Sequence, residues 1–293
     1  MDIATLIASN HLSRADVDGA RDALAGVGAM TAEPAWIDDG IAVDLPFGRI
    51  DRAAARAALE GLLPGVDVVV QPRAHRAKKL LVADMDSTMI TIECIDELAD
   101  YAGIKAEIAA VTERAMRGEL DFEAALDARV ALLKDLDESA IERCHAERVV
   151  LMGGARTLIQ TMKANGARTV LVSGGFTVFA DRVAASIGFD RALSNRLGLA
   201  DGRLTGIVAR PIVGAATKQA VLEEERAALG LDPAETLAVG DGANDIPMIQ
   251  AAGLGVAYHA KPRTAAAAAA RIAHGDLTAL LYAQGYARAA WVD

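Results

Sequence analysis

Aromatic residues are scarce in this chain, at 4% of 293 positions, although apolar residues of all kinds reach 53%. The interior must therefore be built from Ala, Val, Leu and Ile, and the composition is that of a globular protein rather than a disordered one. Cysteine is limited to Cys94 and Cys144, which make neither a disulfide framework nor a zinc site. A reducing cytoplasm is the simplest compartment. There is no excess of basic charge: the formal net charge is -10, which argues against non-specific nucleic-acid binding, and no basic run suggests a membrane surface. No apolar run reaches the ~18 residues that a membrane span needs. Met1-Asp2-Ile3 has no positive segment, so no secretory leader is expected. No internal repeat is found. The length exceeds one average domain, so one or two cores are expected.

Residues 1–72 read as a small domain of their own. Ile3 to Ala8 is a short apolar strand, and Ser13 caps a helix carrying Val17, Ala20, Leu24 and Val27, closed by Gly28. Asp38-Asp39-Gly40 separates two apolar stretches and signals a hairpin. Asp51 caps a second helix through Leu62, Pro64-Gly65 ends it, and Val66 to Val70 forms a last strand. The order β-α-β-β-α-β is the ferredoxin-like plan, and it resembles the ACT ligand-binding modules attached to amino-acid enzymes. Residues 71–76 read as a linker. The remainder, 73–293, alternates strands and helices, which predicts a doubly wound parallel α/β sheet. Strand character stands at 79–84, 169–172, 236–239 and 254–257, with a hairpin turn at Ala200-Asp201-Gly202. A helical block at about 94–148 reads as an insertion roofing the sheet. The alanine run 265–270 is expected to be helix.

Asp84 and Asp86 stand one residue apart at the carboxyl end of the buried strand Leu80-Leu81-Val82-Ala83. Open α/β sheets bind their ligands at that edge. Such a pair can supply a nucleophile, a proton donor and a magnesium site. Asp16/Asp18 and Asp135/Asp137 share the spacing but follow no apolar strand, and solvated surface is their better reading. Three further polar clusters fall at predicted strand ends or helix starts: Ser173-Gly174-Gly175, Lys218, and Gly240-Asp241-Gly242-Ala243-Asn244-Asp245. A parallel sheet brings all four to one edge.

These motifs, in this order, resemble the haloacid dehalogenase-like phosphohydrolase superfamily over residues 76–293. The resemblance implies that Asp84 attacks phosphorus and that Asp86 serves as acid and then base. It implies Mg2+ held by Asp84, the Asp86 carbonyl and Asp241, with Asp245 on a metal-bound water. Capping of the following helix is an equal alternative for Asp245. Ser173, the Gly174 amide and Lys218 would bind phosphate, although a surface lysine is the ordinary fate of such a residue. Asn244 would orient Lys218 or its neighbours, or simply shape the turn.

The stretches Thr91 to Glu97, Ala115 to Phe122 and Ala128 to Lys134 resemble the phosphoserine phosphatase branch of that superfamily. By that likeness Arg129 clamps the substrate carboxylate and Glu93 meets its ammonium, while Met116 and Phe122 close over it. The alternative places Arg129 and Glu93 on the helix surface and packs Met116 and Phe122 in the core. The expected activity is hydrolysis of O-phosphoserine at the end of serine synthesis, in the cytoplasm, with no nucleic-acid or membrane partner. A homodimer is compatible with the sequence. Homoserine as phosphoryl acceptor, or an amino-acid-sensing regulator, are the rival readings.

Overall fold

The computed structural model describes residues 1–117 and 119–293. The side chain of Met116, expected at the substrate, lies outside the described residues. The chain begins with β1 (Asp2–Ala8), α1 (Arg14–Gly26), β2 (Met30–Thr31), β3 (Ala35–Asp38), β4 (Ala42–Gly48), α2 (Arg52–Leu59) and β5 (Val66–Pro72). The Ser13 hydroxyl accepts from Asp16 N–H while the Asp16 carboxylate accepts from Ser13 N–H, a reciprocal cap that fixes the start of α1. The sheet is antiparallel in the order β2-β4-β1-β5, with β3 also paired to β4, which is the ferredoxin-like strand order. Alternation places Ala4, Leu6, Val43, Leu45, Val68 and Val70 against Val17, Leu24, Ala55 and Leu59 of the two helices.

The second sheet is larger. Its elements are β6 (Leu80–Ala83), α3 (Cys94–Ala102), α4 (Lys105–Met116), α5 (Phe122–Leu132), α6 (Ser139–Arg148), α7 (Ala155–Ala164), β7 (Arg168–Phe176), α8 (Thr177–Ile187) and β8 (Arg191–Asn195). They continue with β9 (Leu197–Ala200), β10 (Arg203–Val208), α9 (Ala215–Ala228), β11 (Thr236–Gly240), α10 (Ile246–Ala251), β12 (Leu254–Tyr258), α11 (Pro262–Ala267), β13 (Ala270–Ile272) and α12 (Ala279–Ala283). Six strands run parallel in the order β13-β12-β11-β6-β7-β8. The strands of β6 and β11 are wholly buried, as a parallel sheet covered on both faces requires. The winding reverses between β6 and β11, and the carboxyl ends of these neighbours form the crevice where such sheets take ligands.

The insertion α3–α6 stands over that crevice. The β9–β10 hairpin is fastened to it: Asp135 N–H donates to Leu204 O and Leu204 N–H to Leu136 O, each at 2.9 Å. Among the described residues, no helix is long and apolar enough to cross a membrane.

Two expectations need correction. The alanine run is not one helix: α11 stops at Ala267, and Ala270–Ile272 is strand β13, paired in register with Val256 to Tyr258. Burial of Ala268 and Ala270 and a parallel ladder outweigh alanine's helix propensity. The segment 71–76 is no loose linker. Gln71 and Pro72 belong to β5, Gln71 donates to Ala283 O at 2.7 Å, and Arg76 pairs with Asp44 and donates to Tyr282 O and Ala283 O.

Candidate active site

Asp84 follows β6 directly and is held at the crevice by Asp84 N–H donating to Val239 O of the neighbouring strand. Its Oδ1 accepts from Met85 N–H at 2.8 Å and from the Lys218 ammonium at 2.6 Å. Lys218 comes from the first turn of α9 and is fully buried. Its ammonium also meets Asp245 Oδ1 at 2.6 Å, so two carboxylates share one cation. Asp245 is fully buried too, and its Oδ2 accepts from Gly242 N–H at 2.9 Å. That bond shapes the turn after β11, while the other oxygen faces Lys218. Gly240 has no side chain because a Cβ there would overlap the Asp245 carboxylate.

Asp84, Asp241 and Asp245 each present a carboxylate oxygen within 4.8 Å of the others, all buried. Burial, Asp245 and Asp241 push the Asp84 carboxyl well above its usual range, against the pull of Lys218. Burial, with Asp245 and Glu93, lifts Asp241 to about 6, opposed by Lys261 and Lys218. For Lys218, burial pulls the ammonium down, but Asp245 and Asp84 outweigh it and hold it above its ordinary value. Three buried carboxylates against one ammonium leave an excess of negative charge. An all-oxygen donor set with that excess suits a hard divalent cation. The residues fit such an ion.

Asp86, two residues past Asp84, is half-buried, and its Oδ2 accepts from Cys94 N–H at 3.3 Å. Burial and then Glu93 raise its carboxyl to about 7. Asp86 Oδ1 and Thr88 Oγ1 are buried and find no hydrogen-bond partner among the described residues. Glu93 opens α3, and its Oε1 accepts from the Ser87 hydroxyl at 2.7 Å. Ser87 is in the left-handed region, at φ 56°, which turns the loop back on itself. Arg129 lies on α5 with its Nε donating to Ala125 O at 3.2 Å. Burial lowers its guanidinium, opposed by the charges of Asp96, Glu93 and Asp86.

Ser173 lies in the last half of β7, three residues before its end, and its hydroxyl accepts from Gly175 N–H at 2.8 Å. Phe122 reaches down from the insertion onto two glycines: a Cβ on Gly174 would lie 3.2 Å from its Cζ, and one on Gly214 3.2 Å from its Cδ1. Asn244 stands near Gly174. Among the described residues it makes no bond to Lys218, which Asp84 and Asp245 orient, and its side chain lies over Gly242 of the turn, in line with the turn-shaping alternative.

The haloacid dehalogenase-like hydrolase family matches residues 81–250, more than half of the chain. The chain belongs to that family. Phosphatases of the family generally use a divalent metal, and the acidic cluster agrees. Among its relatives, the phosphoserine phosphatase of Streptomyces coelicolor is 46% identical over 84% of this chain and 61% of its own length. The phosphoserine phosphatase of a Polaromonas species is 48% identical over 69% of this chain and 88% of its own length. A solved hydrolase of the family from Salmonella enterica serovar Typhi superposes with a TM-score of 0.84 at 29% identity, covering 96% of this chain and 98% of that one. The chain thus spans about three fifths of the Streptomyces protein but most of the other two.

One residue of this family member escaped the sequence reading. Asn195 is buried at the end of β8, where its Nδ2 donates to Gly174 O at 2.9 Å and to Val213 O at 3.2 Å, and its Oδ1 accepts from Val213 N–H at 2.7 Å. It ties the segment bearing Ser173 to the one leading into Lys218. The signal available was a polar residue at a strand's carboxyl end, on a strand too polar to be read as one.

Proposed function

We propose that this phosphohydrolase acts on O-phosphoserine, releasing serine and inorganic phosphate with Mg2+ as its ion. What supports this most is that the insertion carries both Arg129 and Glu93, and that Arg129 is close enough to feel the charges of Glu93 and Asp86. A zwitterionic amino acid carries one anion and one cation, and an arginine fork with a carboxylate answers both. The curated relatives with that activity point the same way.

Asp84 attacks phosphorus through the oxygen not engaged by Lys218. The Asp84–phosphorus bond forms, the bond to the serine oxygen breaks, and Asp86 gives its proton to that oxygen. A carboxyl raised to about 7 still holds protons at neutral pH, which this step requires. The basic Asp86 then takes a proton from water as that water attacks the aspartyl-phosphate, and phosphate leaves. Lys218 offsets the charge that Asp84 and the phosphoryl oxygens bring together, and Ser173 with the Gly174 amide binds those oxygens. Asp84, the Asp86 carbonyl, Asp241 and Asp245 would hold the Mg2+, which supplies further neutralisation of phosphoryl charge. Phe122 closes the space from above and excludes water. The buried cluster of Asp84, Asp241, Asp245 and Lys218 gives no support to a decayed, purely sensing protein. The same reading makes it a cytoplasmic biosynthetic enzyme.

A panel of phosphate esters, assayed for phosphate release with and without Mg2+, tests the proposal. Phosphoserine turned over no better than simple alkyl or aryl phosphates would contradict it.

A further inference from the structure

Asp67 lies in β5 of the N-terminal sheet, is 3% exposed, and has no part in the chemistry above. Its carboxylate crosses to the loop that follows β13. Oδ1 accepts from Ala273 N–H at 2.8 Å, Oδ2 from Gly275 N–H at 2.8 Å, and His274 N–H lies 3.2 Å from both oxygens. Three consecutive amides turned onto one anion form a nest that fixes the backbone of the loop. Bonds of this kind, from amides to a buried carboxylate, are roughly twice as strong as neutral ones.

The loop in turn holds the segment that leaves β12. His259 N–H donates to Ile272 O at 2.8 Å, and its ring Nε2 donates to Gly275 O at 2.9 Å. His259 has φ 42°, a left-handed conformation that costs a residue with a side chain and persists only where its surroundings enforce it. Two residues on, Lys261 N–H donates to the Asp241 carbonyl at 3.2 Å. A continuous run of bonds therefore leads from the N-terminal sheet to the backbone of a carboxylate in the acidic cluster. Among the other ties across the seam, Asp44 with Arg76, Gln71 with Ala283 and Asp38 with Tyr282 end on Arg76 and α12, while Arg56 with Ala268 and Ala269 and Glu60 with Arg271 hold the start of β13 rather than the 273–275 amides.

We infer that Asp67 is a positioning residue for the metal site, acting through the 273–275 loop and His259 to fix the segment that braces Asp241. The N-terminal unit is then a structural part of the catalytic edge. This rests on the reading of Asp241 as a metal ligand.

The test is calorimetric titration of Mg2+ into metal-free, full-length protein, with phosphoserine KM measured at saturating Mg2+ and the thermal midpoint measured without it. Partners that directly orient ligands change metal affinity by about 10- to 100-fold, so this more distant brace should contribute about 3- to 10-fold. Asp67→Asn and His259→Ala are each expected to weaken Mg2+ binding by that factor while leaving KM unchanged. Asp44→Asn loosens the same seam elsewhere; it should lower the thermal midpoint and leave Mg2+ affinity within about twofold. Unaltered Mg2+ affinity in Asp67→Asn, or an equal loss in Asp44→Asn, overturns the inference. Should Asp67→Asn fail to fold, His259→Ala decides alone by the same criterion. Asp241→Asn separates the two claims: if it binds Mg2+ as the wild type does, the metal reading fails, whatever Asp67 contributes.

Discussion

The Lys218 ammonium sits 2.6 Å from Asp84 Oδ1, with side-chain exposures of 0% and 7%. A lysine so placed is there for its charge, since a surface position would have cost nothing in desolvation. Removing it leaves Asp84 and Asp245 facing each other unpaired, and breaking a buried pair costs about 3–5 kcal/mol. Lys218→Met should lower stability by that order in urea unfolding and reduce kcat by about 100-fold or more. Wild-type kcat in a folded Lys218→Met protein would contradict the role given to this pair.

Arg129 is half-buried on α5, and the charges of Asp96, Glu93 and Asp86 act on its guanidinium. If it binds the substrate carboxylate, Arg129→Ala should cut kcat/KM for phosphoserine by about 100-fold, within the range for loss of a charged hydrogen-bonded partner. Turnover of p-nitrophenyl phosphate, which has no carboxylate, should stay within a few fold. Equal losses on both substrates would remove Arg129 from recognition.

The seat of Phe122 depends on Gly174 and Gly214, both with ordinary backbone angles. A methyl at Gly214 therefore meets only the ring, and Gly214→Ala acts as a steric probe. Overpacking of this kind costs about 1–3 kcal/mol. Phosphoserine KM should rise about tenfold, and Phe122→Leu in the same chain should recover part of that loss, as coupled neighbours do. Additive effects of the two changes would show that the ring does not seat there in solution.

Lys78 is 3% exposed, donates to Ala234 O at 2.8 Å, and burial lowers its ammonium to about 8, with Glu235 opposing. The native state then binds fewer protons than the unfolded chain between about pH 8 and the ordinary lysine value near 10.4. Stability from this group rises with pH across that window, and its full cost is present below it. Lys78→Met should gain stability over wild type at pH 7, by an amount on the order of a few kcal/mol less the lost hydrogen bond. That advantage should shrink by pH 10 in paired urea titrations. A difference that does not vary with pH would contradict the burial argument.

The parts of the site that were legible in sequence are those where an apolar strand runs straight into a carboxylate or a glycine turn. Asp84 after β6 and Asp241 after β11 are of this kind, because a buried parallel strand is a continuous apolar run and its carboxyl end is where polar groups collect. Asn195 was not, because β8 is a partly exposed edge strand whose residues read as loop. Nor was the seat of Phe122, which depends on two glycines from separate segments meeting one ring in space. The alanine run misled through the same limit: propensity is local, while the pairing of Ala270 beside Val256 is set by the sheet. Nothing in the sequence marks Asp67 within the strand Val66 to Val70, and only the folded chain brings it to the 273–275 amides.

The most direct test of the whole account is a rapid acid quench of enzyme turning over phosphoserine, followed by mass spectrometry of its peptides. The expected result is a single phosphoryl group on the peptide carrying Asp84, absent from a folded Asp84→Asn protein that releases no phosphate. Continued phosphate release by Asp84→Asn, or a phosphoryl group trapped on a different residue, would contradict it.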